Sequence, residues 1–276
     1  MSSLKQAVKT HWEDETCGIR YGTENSREAW LKEIEHARYR LEPHIPSFAQ
    51  FAKAKGKKVL EIGVGAGVDF EQWIRHGAIA TGVDLTQAAI ELTHERLKSH
   101  GIKSHQYALQ TADAEQLPFH DNEFDTVYSW GVLHHTPDTP QAFKESFRVL
   151  KPGGSIKIMI YHLPSWTGFL LWIQHCLLKG RPWKSPSYAL FHHLESPGTK
   201  AYTISQAHTL LKKIGFENIH LETKLCAGDL LLNKPSKKYQ GLIYKLIWKL
   251  YPRWLVKLLG DRFGLELLIT AKKPNA

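Results

Sequence analysis

The stretch Val59–Gly67, VLEIGVGAG, constrains this chain more than any other, because an apolar strand runs directly into glycines at positions 63, 65 and 67. Glycine enters the left-handed backbone region at little cost and removes the Cβ that would hold a ligand away from the main chain. A helical segment, DFEQWIRHG, follows at once. A strand, a tight glycine turn and a helix form the opening unit of an open α/β sheet, whose ligands bind beyond the carboxyl ends of the strands.

The rest of the chain supports that architecture. AIATGVDL, a short segment near His105–Gln110, FDTVYSWG and SIKIMIYHL read as strands, and they alternate with the helical segments TQAAIELTHERLKSHG and TPQAFKESFRVLKPGG. Such alternation calls for a mostly parallel sheet with helices on both faces. ISQAHTLLKKIG, FENIHLETKL and the terminal LELLITAKK resume the pattern after two interruptions, residues 164–204 and 226–262, which are too long for ordinary connections and read as insertions at the ligand edge of the sheet. Before the first strand, residues 26–55 carry helical periodicity broken near Pro43 and Pro46. With the polar first 25 residues they give an N-terminal helical cap, 1–55, ahead of a main domain, 56–276.

The glycine run alone admits a dinucleotide or another nucleoside cofactor. A dinucleotide site prefers a third glycine where this chain has Val68, and Asp69 puts a carboxylate near the helix end that would receive a pyrophosphate. Both disfavour NAD. Asp84 ends the second strand, 17 residues after Gly67, where its oxygens can accept from two ribose hydroxyls. Asp113, after the third strand, can accept from an exocyclic adenine amine, with Ala114 leaving room for the ring. Glu61 is placed either to meet an ammonium group of the cofactor or to hold the glycine loop.

Taken together, VLEIGVGAG, GVDL, ADAEQLPFHDNEFDTVYSWGVLHHTPD and RVLKPGG resemble, in order, the motifs of the class I S-adenosylmethionine-dependent methyltransferases, in particular the group that holds the ubiquinone and menaquinone C-methyltransferases and many small-molecule methyltransferases. The resemblance is strong over about residues 40–162. It implies a Rossmann-like, mostly parallel seven-stranded sheet and S-adenosyl-L-methionine as cofactor, with the glycine turn on its methionine part. It also implies that Asp84 holds the ribose, that Asp113 and Ala114 face the adenine, that Leu85 packs on the adenine, and that Trp130 lines the other side of the cofactor.

The acceptor side is less legible. Strand four ends in SWGVLHH, without the signature of enzymes that methylate an adenine or glutamine amide nitrogen, and the two insertions bring tryptophans and apolar helices beside the site, so a small acceptor is expected, with a hydrophobic one such as a lipid or quinone as an option. A nucleic-acid methyltransferase or a non-catalytic cofactor-binding protein are the alternatives. His134 and His135 follow strand four and His162 ends strand five, so all three are candidate bases, although proximity and orientation can suffice without one. Tyr21, Trp12, Arg38, Trp166 and His192 or His193, in the cap and first insertion, are candidate acceptor contacts.

Charge and cysteine content bound the partners. The net charge of +9, from 36 basic and 27 acidic residues, is too small an excess to name a partner by itself, and no separate basic domain supports nucleic acid. Within the second insertion Leu242, Ile243, Leu246, Ile247 and Leu250 share a helical face, while Lys245, Lys249, Arg253 and Lys257 recur every fourth residue. Residues 240–260 therefore suit a lid, a contact with an anionic membrane surface, or a dimer interface. Cys17, Cys176 and Cys226 are distant and odd in number, which fits buried thiols in a reducing compartment and offers no metal site. With no secretory signal and no spanning segment legible, a cytoplasmic protein is expected, with peripheral contact at the inner face of a membrane as an option and monomer or homodimer open.

Overall fold

In β1 (Lys58–Ile62), Val59, Leu60 and Ile62 are all buried, as a strand covered on both faces requires. The computed structural model describes residues 3–14, 16, 18–233 and 248–275. Around β1 it builds one seven-stranded sheet from β2 (Ile79–Asp84), β3 (Tyr107–Thr111), β4 (Phe124–Trp130), β5 (Leu150–Tyr161), β6 (Glu217–Lys224) and β7 (Glu266–Lys272), in the order β3-β2-β1-β4-β5-β7-β6. The first five strands run parallel, and β7 is antiparallel to both β5 and β6. The order reverses between β1 and β4, so the crevice at their carboxyl ends is where such a sheet offers a ligand site. The expected Rossmann-like architecture is thus present.

Strand β5 begins earlier than its sequence suggests. The LKPGG segment reads as a helix end, yet the strand starts at Leu150, which lies opposite Phe124 before an irregularity restores the register at Ser155 and Thr126. Gly153, at φ 74°, supplies the bend.

Helices cover both faces. α1 (Ser3–Asp14), α2 (Arg27–Leu41) and α3 (Ile45–Ala49) precede the sheet; α4 (Val68–Arg75), α5 (Gln87–Ser99) and α6 (Thr139–Val149) connect its strands. α7 (Trp166–His175) and α8 (Pro186–His193) belong to the first insertion, and α9 (Ile204–Ile214) returns to the sheet. Their starts are set by side chains that accept from free backbone N–H groups: Thr86 from Ala89, Asp138 from Gln141, Ser165 from Gly168 and Thr203 from Gln206. Cys176 and Cys226 are buried thiols, and Cys17 lies outside the described residues.

Two buried polar knots fix the additions to the sheet. Arg96 on α5 is fully buried, donates to Glu71 on α4 at 2.7 Å and to the Leu31 carbonyl on α2 at 3.2 Å, and pairs with Glu35. It therefore joins the cap to two helices of the sheet. Asp229 does the same for the insertions. Its fully buried carboxylate accepts from the backbone N–H of Thr167, Cys226 and Leu265 at 3.0, 3.1 and 2.7 Å, and from the Thr167 hydroxyl at 2.8 Å. The start of α7, the loop after β6 and the approach to β7 meet on that one side chain. Tyr251 and Arg253 bind the carbonyls of Asp229, Leu230 and Leu231, which attaches the short helix Arg253–Leu258 to the same loop. Of the amphipathic stretch 240–260, residues 240–247, with Leu242, Ile243, Lys245, Leu246 and Ile247, lie outside the described residues.

A third pair joins the cap to β7. His44 Nε2 lies 2.5 Å from the buried carboxylate of Glu266. Burial, foremost, raises Glu266 to about 7. Burial acts to lower His44, but the hydrogen bond and charge of Glu266 outweigh it and raise the imidazole above its ordinary 6.5.

Removing the guanidinium in Arg96→Ala leaves Glu71 to Arg75 and His100 alone and takes a donor from the Leu31 carbonyl, and should cost about 1.5–3 kcal/mol in chemical denaturation; a loss below about 0.5 kcal/mol would show that the knot does not hold the cap. The His44–Glu266 pair holds protons more tightly folded than unfolded. Its contribution is therefore complete at low pH and is lost as pH rises through about 7 and the raised value of His44. Melting temperature should fall between about pH 5 and pH 8 more steeply in the native protein than in Glu266→Gln, and parallel curves would remove the pair as the cause.

Candidate active site

The turn after β1 is built for close approach. Gly63, Gly65 and Gly67 take φ values of 84°, 52° and 74°, which L side chains rarely adopt. A Cβ on Gly63 would lie 2.2 Å from Val132, and one on Gly67 would lie 2.8 Å from Thr93. Two contacts lock the turn. The Gly65 N–H donates to Asp84 Oδ2 at 3.1 Å, and the Thr93 hydroxyl donates to the Gly65 carbonyl at 3.1 Å.

This turn floors a cavity of about 300 Å³, within the range of small-molecule sites. Every residue that the sequence assigned to the cofactor borders it: Glu61, Gly63, Gly65, Asp84, Leu85, Asp113, Ala114 and Trp130, with the single exception of Gly67, which sets the turn from behind. Asp84 Oδ1 also accepts from the N–H and hydroxyl of Thr86, and burial raises its pKa against the pull of these bonds. Glu61 is more exacting. It is buried, its Oε2 has no hydrogen-bond partner among the described residues, and burial together with the charge of Asp69 raises its pKa well above the usual value. A buried carboxylate oxygen without a donor at a cavity wall is a demand for one.

Asp113 is partly occupied by the protein itself. Its Oδ2 is 2.6 Å from Lys5, which also pairs with Glu115, and its Oδ1 accepts from the Glu115 N–H. Helix α1 thus lies across the Asp113 end of the cavity, with Lys5, Val8 and Trp12 in its wall. Asp69 has a different role from the one read in sequence. It is buried under Arg38 at 2.6 Å and the hydroxyls of Tyr128 and Tyr39 at 2.8 and 3.1 Å, so its charge does not stand open at the start of α4. Arg38 reaches the cavity wall, yet its guanidinium is taken by Asp69 and Glu42, which makes it a brace rather than an open contact for an acceptor. Trp130 donates to Glu42 at 3.1 Å.

The three candidate bases separate. His134 is fully buried, stacks on Tyr161 at 3.9 Å between ring centres, and is held neutral by burial; it is not part of the cavity wall. His162 is also absent from the wall. Its Nδ1 is 3.0 Å from the Gly264 carbonyl, to which it donates, and burial lowers its pKa. Side chains alternate along a strand, and here Tyr161 takes the cavity side and His162 the other. This overturns the expectation of His162 as a candidate base at the site.

His135 does border the cavity. Its Nδ1 is 3.1 Å from Thr199 Oγ1 and 2.8 Å from Ser196 Oγ. The Thr199 hydroxyl gives its own proton to the Ser196 carbonyl at 2.7 Å, whereas the Ser196 hydroxyl can accept from Nδ1 or donate to it, so both neutral tautomers of His135 fit these partners. Nε2 lies 3.4 Å from the Glu195 carboxylate. Tyr161 donates to that same carboxylate at 2.8 Å. Burial works to raise Glu195, but His135 and Tyr161 outweigh it and the carboxyl is lowered below its ordinary range.

Glu195 and Tyr161 were not singled out in the sequence. Glu195 had a usable signal, since it is the lone acidic residue of 164–204. Tyr21 lines the cavity and donates to Asn233 at 3.2 Å, and Trp12 meets the His135 ring edge-on at 5.3 Å. Trp166 and His192 are not brought to the site: Trp166 packs against Phe263 at 6.1 Å, and His192 is exposed on α8. His193, stacked on His175 at 4.0 Å, is likewise outside the cavity wall.

Comparison with known proteins adds an independent line. Residues 60–158 match the model of a methyltransferase domain. The chain is 33% identical over 105 residues to methyltransferase GfsG of Streptomyces halstedii, covering 37% of each, and 34% identical over 103 residues to a ubiquinone biosynthesis O-methyltransferase of Pseudomonas fluorescens, covering 37% of this chain and 43% of the relative. The matched stretches thus span about two fifths of those relatives. Among solved structures, geranyl diphosphate C-methyltransferase of Streptomyces coelicolor A3(2) shares the fold at a TM-score of 0.65 and 15% identity, over 99% of this chain and 98% of that one. Since the matched domain spans β1 through most of β5, the strands that position the glycine turn, Asp84 and Asp113, the chain carries a class I S-adenosylmethionine-dependent methyltransferase domain.

Proposed function

We propose that this protein is an enzyme that methylates a small acceptor, and that the acceptor presents a hydroxyl or amine proton to His135. The observation that carries this reading is the shape of the cavity: one wall holds the glycine turn, Glu61 and Asp84, and the same cavity is bordered by His135, Tyr161 and Glu195. The first wall fits S-adenosylmethionine. Its left-handed glycines admit a ligand against the backbone, the unpartnered Glu61 oxygen suits an ammonium, and Asp84 supplies acceptors for ribose hydroxyls. Once bound, this cofactor supplies an electrophilic methyl group on a sulfonium.

The protein's own contribution is orientation and proton removal. In the tautomer with its proton on Nδ1, where Thr199 and Ser196 accept it, His135 offers the Nε2 lone pair to the acceptor. The proton leaving the acceptor passes to Nε2, and the imidazolium so formed lies beside an ionised Glu195. Tyr161 keeps that carboxylate in place. The apolar members of the wall, among them Leu194, Ala227 and Leu265, favour an acceptor with an apolar body, of the lipid or quinone kind. Among the similar proteins, ubiquinone biosynthesis and geranyl diphosphate are names of that kind and phosphoethanolamine is not, so the preference rests on the cavity wall.

Calorimetry should show S-adenosylhomocysteine binding, weakened by roughly 100-fold in Asp84→Ala through loss of charged hydrogen bonds, with Asp84→Asn as the variant that preserves the Gly65 contact; equal affinity in both would remove the ribose assignment. With labelled S-adenosylmethionine and a fractionated metabolite extract as acceptor source, His135→Ala should lose about 10²–10⁴-fold in methyl transfer while retaining cofactor affinity. Unchanged transfer would rule out His135 as the base.

A further inference from the structure

The positive charge of this protein is not spread over its surface. Residues 164–204 and 226–262 together hold twelve basic and three acidic residues, which leaves +9, the formal net charge of the entire chain. The remainder is neutral. None of the three acids opposes the basic surface: Asp229 is fully buried, Glu195 borders the cavity, and Asp261 pairs with Lys224 at 3.1 Å. The same two segments hold all the exposed large apolar side chains among the described residues except Ile79. Leu178 and Trp183 are each 74% exposed in the first segment, and Trp254 and Leu258 are 71% and 74% exposed in the second. Lys179 and Arg181 lie between the first pair in the chain and Lys257 adjoins Leu258 of the second, all three exposed.

We infer that the exposed surface around Leu178 and Trp183 in the first insertion and Trp254 and Leu258 in the second is a docking face for an anionic lipid bilayer. A segment rich in lysine with exposed tryptophan and leucine gains twice at such a surface, from apolar burial at the headgroup boundary and from attraction to lipid charge. Charge selects this occupant over the others. An isologous pair of copies would bring Lys179, Arg181 and Lys257 of one copy against the same cations of the other. Nucleic acid would meet the lysines but has no use for the projecting leucines. The first and second segments are held together at Asp229, and their inner residues Thr167, Leu194, Ala227 and Gly228 line the cavity, so docking face and cavity wall share the same short elements. The inference stands on exposure and charge, independently of which acceptor is methylated.

The test is sedimentation of the full-length protein with phosphatidylcholine vesicles and with vesicles containing about a third phosphatidylglycerol, at low and at physiological salt. Binding is expected to the anionic vesicles alone and to weaken with salt. Each of Lys179→Ala and Lys257→Ala should lower the partition coefficient about five-fold, and Trp183→Ala with Trp254→Ala should lower it further, while S-adenosylhomocysteine affinity stays unchanged in all four. No binding to anionic vesicles at low salt would overturn the inference. So would binding that is unaffected by the tryptophan changes and is matched by duplex DNA of equal charge, which would mark the face as a polyanion site.

Discussion

The contact on which this molecule depends is the one between Asp84 and the glycine turn. The carboxylate at the end of β2 accepts from Gly65 at the end of β1, and the same side chain accepts from Thr86, which caps α5. Thr93, two turns further along α5, then holds the Gly65 carbonyl. Two strands, a loop and a helix are thereby fixed relative to one another at the switch point of the sheet, where the strand order opens a crevice. A left-handed glycine turn has no side chains of its own to hold its shape. Its neighbours supply the constraint, and the ligand site is formed by the same bonds that hold the turn.

Polar groups buried outside that centre serve attachment. Arg96 joins the cap to α4 and α5, Asp229 joins both insertions to the approach to β7, and His44 with Glu266 joins the cap to β7. Each lies where a segment added to the sheet meets it. An apolar contact tolerates sliding, whereas a buried carboxylate with several fixed donors accepts one arrangement. That is a physical reason for ionisable residues at these joints, and it keeps Glu195 and the 226–233 loop within reach of the cavity.

The consequence for chemistry is a division of labour across one cavity. The sheet side offers backbone and carboxylates to a cofactor, and it is rigid because the strands hold it. The acceptor side combines the loop after β4 with an insertion, so His135 depends on Ser196, Thr199 and Glu195, some sixty residues away in sequence. Thr199 and Ser196 hold His135 at Nδ1, and Glu195 lies beside Nε2. The acceptor chemistry is therefore a property of how the first insertion packs.

The order of strands and helices, the glycine turn and the carboxylates at 61, 84 and 113 were legible in the sequence, because period, glycine spacing and strand-end position are local properties. Beyond about residue 162 that legibility fades. Neighbouring residues on a strand point to opposite faces, so a one-position change in where β5 ends exchanges Tyr161 and His162 between cavity and core, and composition cannot fix that position. Arg38 and Asp69 looked like exposed charges near a ligand, and only their meeting with Tyr39 and Tyr128 shows them to be a buried brace. Glu195 was silent because its partners come from β5 and from the loop after β4. The sequence by itself determined the donor half of the site, where each residue follows from its place on one strand or turn. The tertiary structure alone decided the acceptor half, where every functional contact joins segments that are distant in the chain.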